Sequence, residues 1–368
     1  MAKDNRRYEV IIIGGGPAGI ATALTLSARG ISSCLLEARP APFKKVGEAL
    51  PPNARPLLRQ LGIEQLLTDP KHQVYHGNLS CWGNSLLEEK DFIREIHGHG
   101  YLLDRLHFER QLWELLDQSK TDFIHHCQIQ HINPEEKGVE VVANHQHQTI
   151  TTTGNFIVDA TGRKASVCRK LGAISYTMDQ QFGIACQIAL PARTASQIMV
   201  EATPNGWWYA APAQTGELTL MFFTLKEMIG DEESQKKLLR RELRHSIHLK
   251  KRLPQGIPVI DQVKIMPAGT SCLEKPYGKN WLAVGDAAYA YDPISSYGIT
   301  SALASGFYAG NALAASLAGE EDALDVYRYV VENAFQAYMS KLSRHYALEQ
   351  RWPDSAYWQN RLKNIQTL

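Results

Sequence analysis

The sequence lacks the patterns that several classes of protein require. Its six cysteines lie far apart, at positions 34, 81, 127, 168, 186 and 272, and no CxxC pair is present to hold zinc or to form a redox-active dithiol. A reduced, cytoplasmic setting is therefore expected. The charges nearly cancel, since 39 Lys and Arg face 38 Asp and Glu for a net charge of +1. This balance argues against a basic surface for nucleic acid.

Long hydrophobic runs are also scarce. The first apolar run ends at Ile13, which is too short for the core of a signal peptide, so export is not expected. The 27 residues from Pro293 to Gly319 carry no formal charge and are long enough to span a bilayer. Ala, Ser and Gly dominate this segment, however, and Asn311 lies within it. The composition indicates a tightly packed internal helix, and no membrane contact is predicted.

No recognisable arrangement of metal ligands is present either. Thirteen histidines occur in the 368 residues, and those at positions 125, 126, 131, 145 and 147 lie close together, but their spacing matches no ligand motif. No metal site is predicted. The length and a hydrophobic fraction of 44% suit a globular protein of two domains.

What is present begins with a strand, a glycine-rich turn and a helix. The apolar residues 8–13 lead into Gly14-Gly15-Gly16-Pro17-Ala18-Gly19. Gly14 allows the tight turn, Gly16 lets a pyrophosphate approach the backbone, and Gly19 allows close packing of helix and strand. A second strand, residues 33–36, ends at Glu37, where an acid can bind a ribose hydroxyl. The unit predicts an adenine dinucleotide, either FAD or NAD, with contacts at Gly14, Gly16, Pro17, Ala18, Gly19, Glu37 and Arg39.

Later motifs point to FAD through a resemblance. A buried strand ends in Gly285-Asp286, and a turn from Pro293 to Gly298 opens the small-residue helix. Together with the N-terminal turn, these motifs resemble the flavoprotein monooxygenases of the hydroxybenzoate-hydroxylase fold, over nearly the whole chain. Residues 156–163 match the segment that closes the FAD domain there, and Arg105 matches an arginine that contacts FAD. The resemblance implies that FAD is also held by Arg105, Asp159, Gly162, Gly285, Asp286, Gly298 and Ile299.

Two of these residues have alternative roles. Asp286, at the carboxyl end of a strand, can accept a hydrogen bond from a ribityl hydroxyl or can cap the following turn. Arg105 can bind a phosphate or can remain a solvated residue in the first turn of a helix predicted over residues 102–118. The helix that follows Gly298 would direct its positive end toward the flavin and favour the anionic reduced form.

A second resemblance concerns the segment Val46-Gly47-Glu48-Ala49, which is similar to the Gly-Glu segment beside the flavin in tryptophan halogenases and their relatives. The alternative is an ordinary turn. Those halogenases carry Trp-x-Trp-x-Ile-Pro where residues 206–212 read GWWYAAP, and their essential lysine falls on Asn78. Halogenation is therefore disfavoured. No catalytic residue is assigned, and the candidates near the flavin are Glu48, Trp207, Tyr209, Pro293 and Ser296.

Within this superfamily the sequence looks most like the LodB and GoxB type of flavoprotein, which matures tryptophylquinone enzymes. The resemblance implies hydroxylation of a tryptophan in a precursor amino-acid oxidase during formation of cysteine tryptophylquinone. NADH or NADPH would reduce the flavin, and molecular oxygen would then react at its C4a position to give the hydroperoxide. Two alternatives remain open: a prenyl reductase of the geranylgeranyl-reductase type, and an assembly factor whose FAD is structural.

The predicted fold is α/β, with a doubly wound FAD-binding domain of the GR2 type. Its expected segments are residues 1–75, 100–175 and 270–320. An antiparallel-sheet substrate domain is expected from residues 76–99 and 176–269, with strands at 182–190, 206–211 and 217–224. Residues 321–368 are predicted to be helical. A basic amphipathic helix over residues 235–252 is either a solvated surface helix or a docking ridge for an acidic protein.

Overall fold

Helices and sheets alternate along the chain in a computed structural model that describes residues 5–93, 95–189, 197–213, 216–253 and 256–366. The α-helices of this part are Pro17–Ala28 (α1), Arg55–Gln60 (α2), Arg105–Asp117 (α3), Ser166–Lys170 (α4), Glu232–His245 (α5), Gly298–Leu317 (α6), Ala323–Ala347 (α7) and Ala356–Gln366 (α8).

The strands of the described residues, in chain order, are Asn5–Ile13 (β1), Ser33–Leu36 (β2), Ala49–Leu50 (β3), Gln73–Tyr75 (β4), Gly77–Cys81 (β5), Glu88–Asp91 (β6), Gly100–Leu102 (β7), Thr121–Ile124 (β8), Cys127–Glu135 (β9), Gly138–His145 (β10), Gln148–Asp159 (β11), Ser175–Thr177 (β12), Gln181–Ala189 (β13), Ile198–Thr203 (β14), Gly206–Ala213 (β15), Glu217–Leu225 (β16), Lys264–Pro267 (β17), Ser271–Leu273 (β18), Tyr277–Gly278 (β19), Trp281–Ala283 (β20) and Tyr289–Ala290 (β21).

The first large sheet is parallel at its centre, in the order β20-β11-β1-β2-β8. The carboxyl-terminal parts of its central strands, residues 10–13, 34–36 and 157–158, are apolar and buried, as expected where both faces of a parallel sheet are covered. Ile13 at the end of β1 pairs with Leu36 and with Asp159, and Asp159 pairs with Ala283. The carboxyl ends of four strands therefore meet at one edge, where α/β sheets bind their ligands. The predicted α/β class is confirmed.

The second large sheet has the order β17-β13-β16-β15-β14-β5-β6. The strands predicted at 182–190, 206–211 and 217–224 are β13, β15 and β16, whose ends differ from the prediction by up to two residues; Leu190 lies outside the described residues. Pairing is antiparallel except between β14 and β5, which are parallel. The division of the chain at the predicted domain boundaries stays a prediction.

Glycines allow helices α1 and α6 to pack closely together. A Cβ at Gly306 of α6 would lie 2.3 Å from the carbonyl oxygen of Ala18 in α1, and a Cβ at Gly310 would lie 2.6 Å from Thr25 Cβ. The helices can approach this closely only because these positions carry no side chain. Among the described helices, α6 included, none combines the length and the apolar character that crossing a membrane requires. The helices α7 and α8 make up most of the predicted helical segment.

Two predicted helices have different bounds in the structure. The helix expected over 102–118 begins only at Arg105, because Asp104 caps it by accepting a hydrogen bond from the backbone N–H of His107 at 3.0 Å. The helix expected over 235–252 is wrong in its second half. There α5 ends at His245, and a separate 3₁₀ turn follows at Leu249–Arg252.

A buried carboxylate explains that break. Glu201 of β14 is fully buried and accepts hydrogen bonds from the backbone N–H groups of His248, at 3.1 Å, and Leu249, at 2.7 Å. Because these N–H groups are bound to Glu201, they do not continue the backbone hydrogen bonds of α5. The helix therefore ends before them, and a new turn begins.

Candidate FAD site

A cavity of about 1060 Å³ lies where the ends of β1, β2, β11 and β20 face the seven-stranded sheet. Side chains of β15, β16 and β17 form its far wall, and the start of α6 closes one side. Most residues predicted to contact FAD lie around it. The predicted residues on its lining are Gly14, Gly16, Pro17, Ala18, Glu37, Arg39, Arg105, Gly162, Tyr209, Asp286, Pro293, Ser296, Gly298 and Ile299.

The glycines of the first turn are needed for different physical reasons. Gly14 has a φ of +113°, and a Cβ there would lie 2.4 Å from the carbonyl oxygen of Ala160. At Gly19 a Cβ would lie 2.0 Å from the oxygen of Gly14. Both glycines are therefore required by the packing of the protein itself. Around Gly16, by contrast, no atom lies within 4 Å of the Cβ position, and this residue lines the cavity. Gly16 leaves room for a ligand, as a pyrophosphate requires.

The acid at the end of β2 is fixed by backbone groups. Glu37 Oε2 accepts a hydrogen bond from the N–H of Gly15 at 2.6 Å, and Oε1 accepts one from the N–H of Arg39 at 2.9 Å. The carboxylate therefore ties the glycine turn to the end of the second strand. Its position on the cavity lining suits the ribose contact predicted for it.

Asp286 follows β20 and lines the cavity beside Arg163, which was not predicted to be a site residue. Arg163 Nε lies 3.3 Å from Asp286 Oδ2, and the same guanidinium donates hydrogen bonds to the carbonyl oxygens of Gly269 and Tyr291. Burial raises the pKa of Asp286, and the charge of Arg163 opposes that rise. Arg163 follows Gly162 directly, so the segment that indicated Gly162 also contained this residue.

Arg105 does not stand alone on the cavity wall. Its guanidinium lies 2.8 Å from Glu109 Oε1 and donates to the carbonyl oxygen of Gly47 at 3.0 Å. Lys45 Nζ lies 2.6 Å from the other oxygen of Glu109, whose side chain is 2% exposed. Two cations thus share one carboxylate, and this part of the wall keeps one net positive charge. It suits an anionic ligand such as a phosphate.

Trp113 also lines this side of the cavity, and it was not among the predicted site residues. Its indole N–H donates to the carbonyl oxygen of Gly15 at 2.9 Å, and its ring lines the cavity. Residues 105, 109 and 113 are spaced by four, so they occupy one face of α3. That spacing was the signal in the sequence that could have indicated Glu109 and Trp113 once Arg105 had been selected.

The far wall is built from alternate residues of two neighbouring strands. Tyr209 of β15 pairs with Met221 of β16, and both line the cavity together with Phe223. Since strand residues alternate between faces, Trp208 points to the other side, where it joins the separate cluster that packs under α5. The hydroxyl of Tyr209 is buried and has no hydrogen-bond partner among the described residues. Burial and the nearby Glu48 raise the pKa of this hydroxyl.

Glu48 lies beside this wall, and its neighbours in sequence, Gly47 and Ala49, line the cavity. Its Oε1 accepts a hydrogen bond from the Thr219 hydroxyl at 3.2 Å, and its Oε2 accepts one from the N–H of Gly47 at 3.2 Å. Burial raises the pKa of Glu48 despite these hydrogen bonds and the charge of Arg105. The neutral acid is therefore favoured more than in water.

Four further predicted residues lie off the cavity lining. Trp207 is fully buried, stacks on Phe223 with ring centroids 4.1 Å apart and donates its indole N–H to the Tyr346 hydroxyl at 3.0 Å. It is therefore a core residue and does not line the cavity in which the flavin is expected. Gly19 and Gly285 serve close packing, since a Cβ at Gly285 would lie 2.9 Å from Ala18 Cβ.

Asp159 is the fourth, and it binds the protein backbone. Its Oδ2 accepts hydrogen bonds from the N–H groups of Val167 and Cys168, both at 2.9 Å, and its Oδ1 accepts one from the N–H of Thr161 at 2.9 Å. The carboxylate shapes the turn that carries Gly162 and Arg163. No group of three or more His, Cys, Asp or Glu in the described residues is placed to hold a metal ion.

The geometry is that of a dinucleotide site with a second, aromatic wall. The chain belongs to the FAD binding domain family, whose sequence profile matches residues 7–340. It is thus an FAD-dependent oxidoreductase, as predicted. Which of the lining residues contact FAD stays a prediction.

Similar proteins fall into several groups. The chain is 26% identical to a protein of Marinomonas mediterranea named as an FAD-dependent oxidoreductase, LodB, with 96% of each chain covered. It is 24% identical to digeranylgeranylglycerophospholipid reductase 1 of Methanococcoides burtonii, with 86% of this chain and 76% of the reductase covered.

Two solved structures share the fold. The myxobacterial chondrochloren halogenase CndH has a TM-score of 0.84 and is 23% identical, with 97% of this chain and 86% of that chain covered. The peptidyl tryptophan dihydroxylase QhpG has a TM-score of 0.78 and is 20% identical, with 96% and 78% covered. Halogenases thus stand among the similar proteins, and the prediction that halogenation is disfavoured is not supported.

Proposed function

We propose that the protein is a monooxygenase that hydroxylates a tryptophan side chain held in another polypeptide. The observation that carries the proposal is the cavity, which extends from the glycine turn to an aromatic wall. Its volume, about 1060 Å³, is at the upper end of the range for ligand pockets and suits a dinucleotide together with an aromatic side chain. The nearly full-length similarity to LodB and the fold shared with a peptidyl tryptophan dihydroxylase support the same choice.

The residues of the strand ends would hold the cofactor. Gly16 and the start of α1 would receive the diphosphate, Glu37 a ribose and Asp286 the ribityl chain, while the turn at Pro293 to Ser296 and the start of α6 would lie at the flavin ring. Bound FAD supplies the redox chemistry, namely acceptance of electrons and activation of oxygen.

The far wall would receive the substrate. Tyr209, Met221 and Phe223 offer an apolar surface to an aromatic ring, and contacts of this kind exclude water. The hydroxyl oxygen of Tyr209, which has no partner among the described residues, would accept a hydrogen bond from a donor of the substrate, such as the indole N–H of tryptophan. Because burial raises the pKa of both Tyr209 and Glu48, this wall favours neutral groups over charged ones.

The partner in this proposal is a precursor amino-acid oxidase whose tryptophan becomes part of cysteine tryptophylquinone. NADH or NADPH supplies two electrons. One atom of molecular oxygen is inserted into a C–H bond of the indole, and the other leaves as water. The substrate would thus gain one oxygen atom for each pair of electrons consumed.

The test uses the FAD-loaded protein with a precursor oxidase and NADH or NADPH under ¹⁸O₂, with chloride and bromide present. We expect the precursor to gain one or two labelled oxygen atoms on a tryptophan, located by peptide mass spectrometry. Incorporation of halogen would replace the proposal with halogenation. Reduction of a prenyl lipid, with no change in the precursor and no oxygen uptake, would replace it with prenyl reduction.

Two variants on β15 distinguish a role of the cavity wall in catalysis from a general effect on packing. Tyr209→Phe removes the unpaired hydroxyl of the cavity wall, and we expect it to slow hydroxylation with little loss of FAD. Trp208→Phe alters the opposite face of β15 and is the matched control, which we expect to retain activity. Quinone formation supported by Asp286→Ala after its FAD is lost would contradict catalysis and indicate an assembly factor.

A further inference from the structure

A network of buried charges lies directly behind the turn that precedes α6. Arg361 of α8 points its guanidinium at two aspartates, with NH1 2.8 Å from Asp179 Oδ1 and NH2 2.5 Å from Asp292 Oδ2. The three side chains are at most 2% exposed. Charges with so little access to water are expensive to bury, and they persist only with close pairing and further hydrogen bonds.

Asp292 carries this network to the cavity. Its Oδ1 accepts a hydrogen bond from the N–H of Ile294 at 2.9 Å, and its own N–H donates to the Tyr338 hydroxyl at 2.6 Å. Asp292, Pro293 and Ser296 all line the cavity. The backbone position of this part of the wall therefore depends on where the Asp292 carboxylate is held.

Two other elements, α7 and β13, meet at the same carboxylate. Tyr346 of α7 donates its hydroxyl to Asp292 Oδ2 at 2.9 Å, and its ring lies 4.3 Å from the guanidinium carbon of Arg361. The same hydroxyl accepts the indole N–H of Trp207. Gln181 of β13 donates its amide to Asp292 Oδ2 at 3.1 Å. The seven-stranded sheet and the helices α7 and α8 thus converge on Asp292.

The turn itself needs external support. Ser296 has a φ of +53°, in the left-handed region that non-glycine residues seldom adopt. A residue keeps such a conformation only when its surroundings impose it, and such positions cluster at ligand sites. The Asp292 network supplies an anchor four residues before it.

We propose that Arg361 is a positioning residue, which acts through Asp292 to hold the turn from Pro293 to Ser296 against FAD. Although α8 contributes no residue to the cavity lining among the described residues, FAD affinity and the environment of the flavin then depend on it. This inference rests on FAD binding and not on the identity of the substrate, so failure of tryptophan hydroxylation would leave it intact.

The test compares the same conservative change at two arginines that pair with buried carboxylates. Arg361→Lys keeps the charge but loses the planar fork that reaches both aspartates. The control is Arg351→Lys, because Arg351 lies 2.5 Å from Glu349, whose carboxylate accepts the N–H of Gly83, and neither residue lines the cavity. For each variant we would measure the melting temperature without FAD, the Kd for FAD by quenching of flavin fluorescence, and the visible spectrum and midpoint potential at saturating FAD.

We expect Arg361→Lys to raise the Kd for FAD by about tenfold, or about 1.4 kcal/mol, and to shift the spectrum and potential of the bound flavin. Arg351→Lys should lower the melting temperature without either change. A Kd within about twofold of the wild type and an unchanged spectrum for Arg361→Lys would overturn the proposal, as would equal changes in the control.

If Arg361→Lys does not fold, Tyr346→Phe provides the same test. It retains the ion pairs and the ring beside Arg361 but removes the hydrogen bond to Asp292 and the acceptor of the Trp207 indole N–H. A raised Kd and a shifted flavin spectrum would support the proposal. Wild-type values for both would refute it.

Discussion

Replacing Gly16 by alanine should separate the folding of the protein from the binding of its cofactor. Gly16 has an extended backbone, with φ of −82° and ψ of 178°, which alanine adopts freely. No atom lies within 4 Å of the added Cβ. The free energy of unfolding of the FAD-free protein should therefore change by less than about 1 kcal/mol.

The loss in FAD affinity should be much larger. The new methyl group would stand in the cavity where we expect the diphosphate to approach the backbone at the start of α1. Displacing the phosphate from one or more backbone N–H donors forfeits hydrogen bonds to a charged group, each worth about 1.5–3 kcal/mol. The Kd for FAD should rise by about 10- to 100-fold. Titration of the FAD-free protein with FAD, followed by fluorescence quenching, measures it.

A neighbouring glycine provides the contrast. In Gly19→Ala the new Cβ would lie 2.0 Å from the oxygen of Gly14, so α1 must shift and the FAD-free protein should lose about 1–3 kcal/mol of stability. Urea unfolding distinguishes the two variants. If Gly16→Ala binds FAD as tightly as the wild type, the diphosphate does not lie at this turn and the assignment of the cavity is wrong.

Three further predictions concern stability. Because burial raises the pKa of Glu48, ionisation of this carboxyl destabilises the folded state as the pH rises past the value at which a free glutamate titrates. The stability of Glu48→Gln relative to wild type should therefore improve as the pH rises from about 4 toward neutral in urea titrations; a constant difference would contradict the raised pKa. Trp207→Phe removes the hydrogen bond to Tyr346 and should cost about 1–2 kcal/mol in the same assay; full wild-type stability would argue against that bond. Gly306→Val should destabilise the protein by at least about 1–3 kcal/mol, because its Cβ would meet the backbone of α1, whereas Gly298→Ala on the same helix, with nothing within 4 Å, should not; equal losses would refute the packing argument.

The sequence sufficed for features whose cause is local. The strand, glycine turn, helix and second strand at the N-terminus follow from adjacent residues, and the structure contains all four. Trp207 and Tyr209 share a face of β15, because strand residues alternate between the two faces of a sheet. How far the cavity extends along that face depends on residues from β16, β17 and α6, so the pattern could not separate Tyr209, on the lining, from Trp207, in the core.

What the sequence did not predict depends on distant partners. The apolar spacing of residues 235–252 suits a single helix, and it is Glu201, from another part of the chain, that starts a new turn at His248 and Leu249. Arg361 likewise carries no local sign of its role, because its partners Asp179 and Asp292 lie far away in sequence. The absence of a lysine at Asn78 was used as an argument against halogenation. That argument was too strong, since halogenases are among the similar proteins.

The parallel pairing of β5 with β14 links assembly of the seven-stranded sheet to synthesis of more than half of the chain. Ser80 lies beside Val200 in this sheet, so a fragment that ends before β14 leaves β5 and β6 without the rest of their sheet. Contacts between residues so distant in sequence form late and slowly in folding. Dissection of the protein into separately expressed halves should therefore yield aggregating pieces, and loading with FAD in vitro should begin from the refolded whole chain.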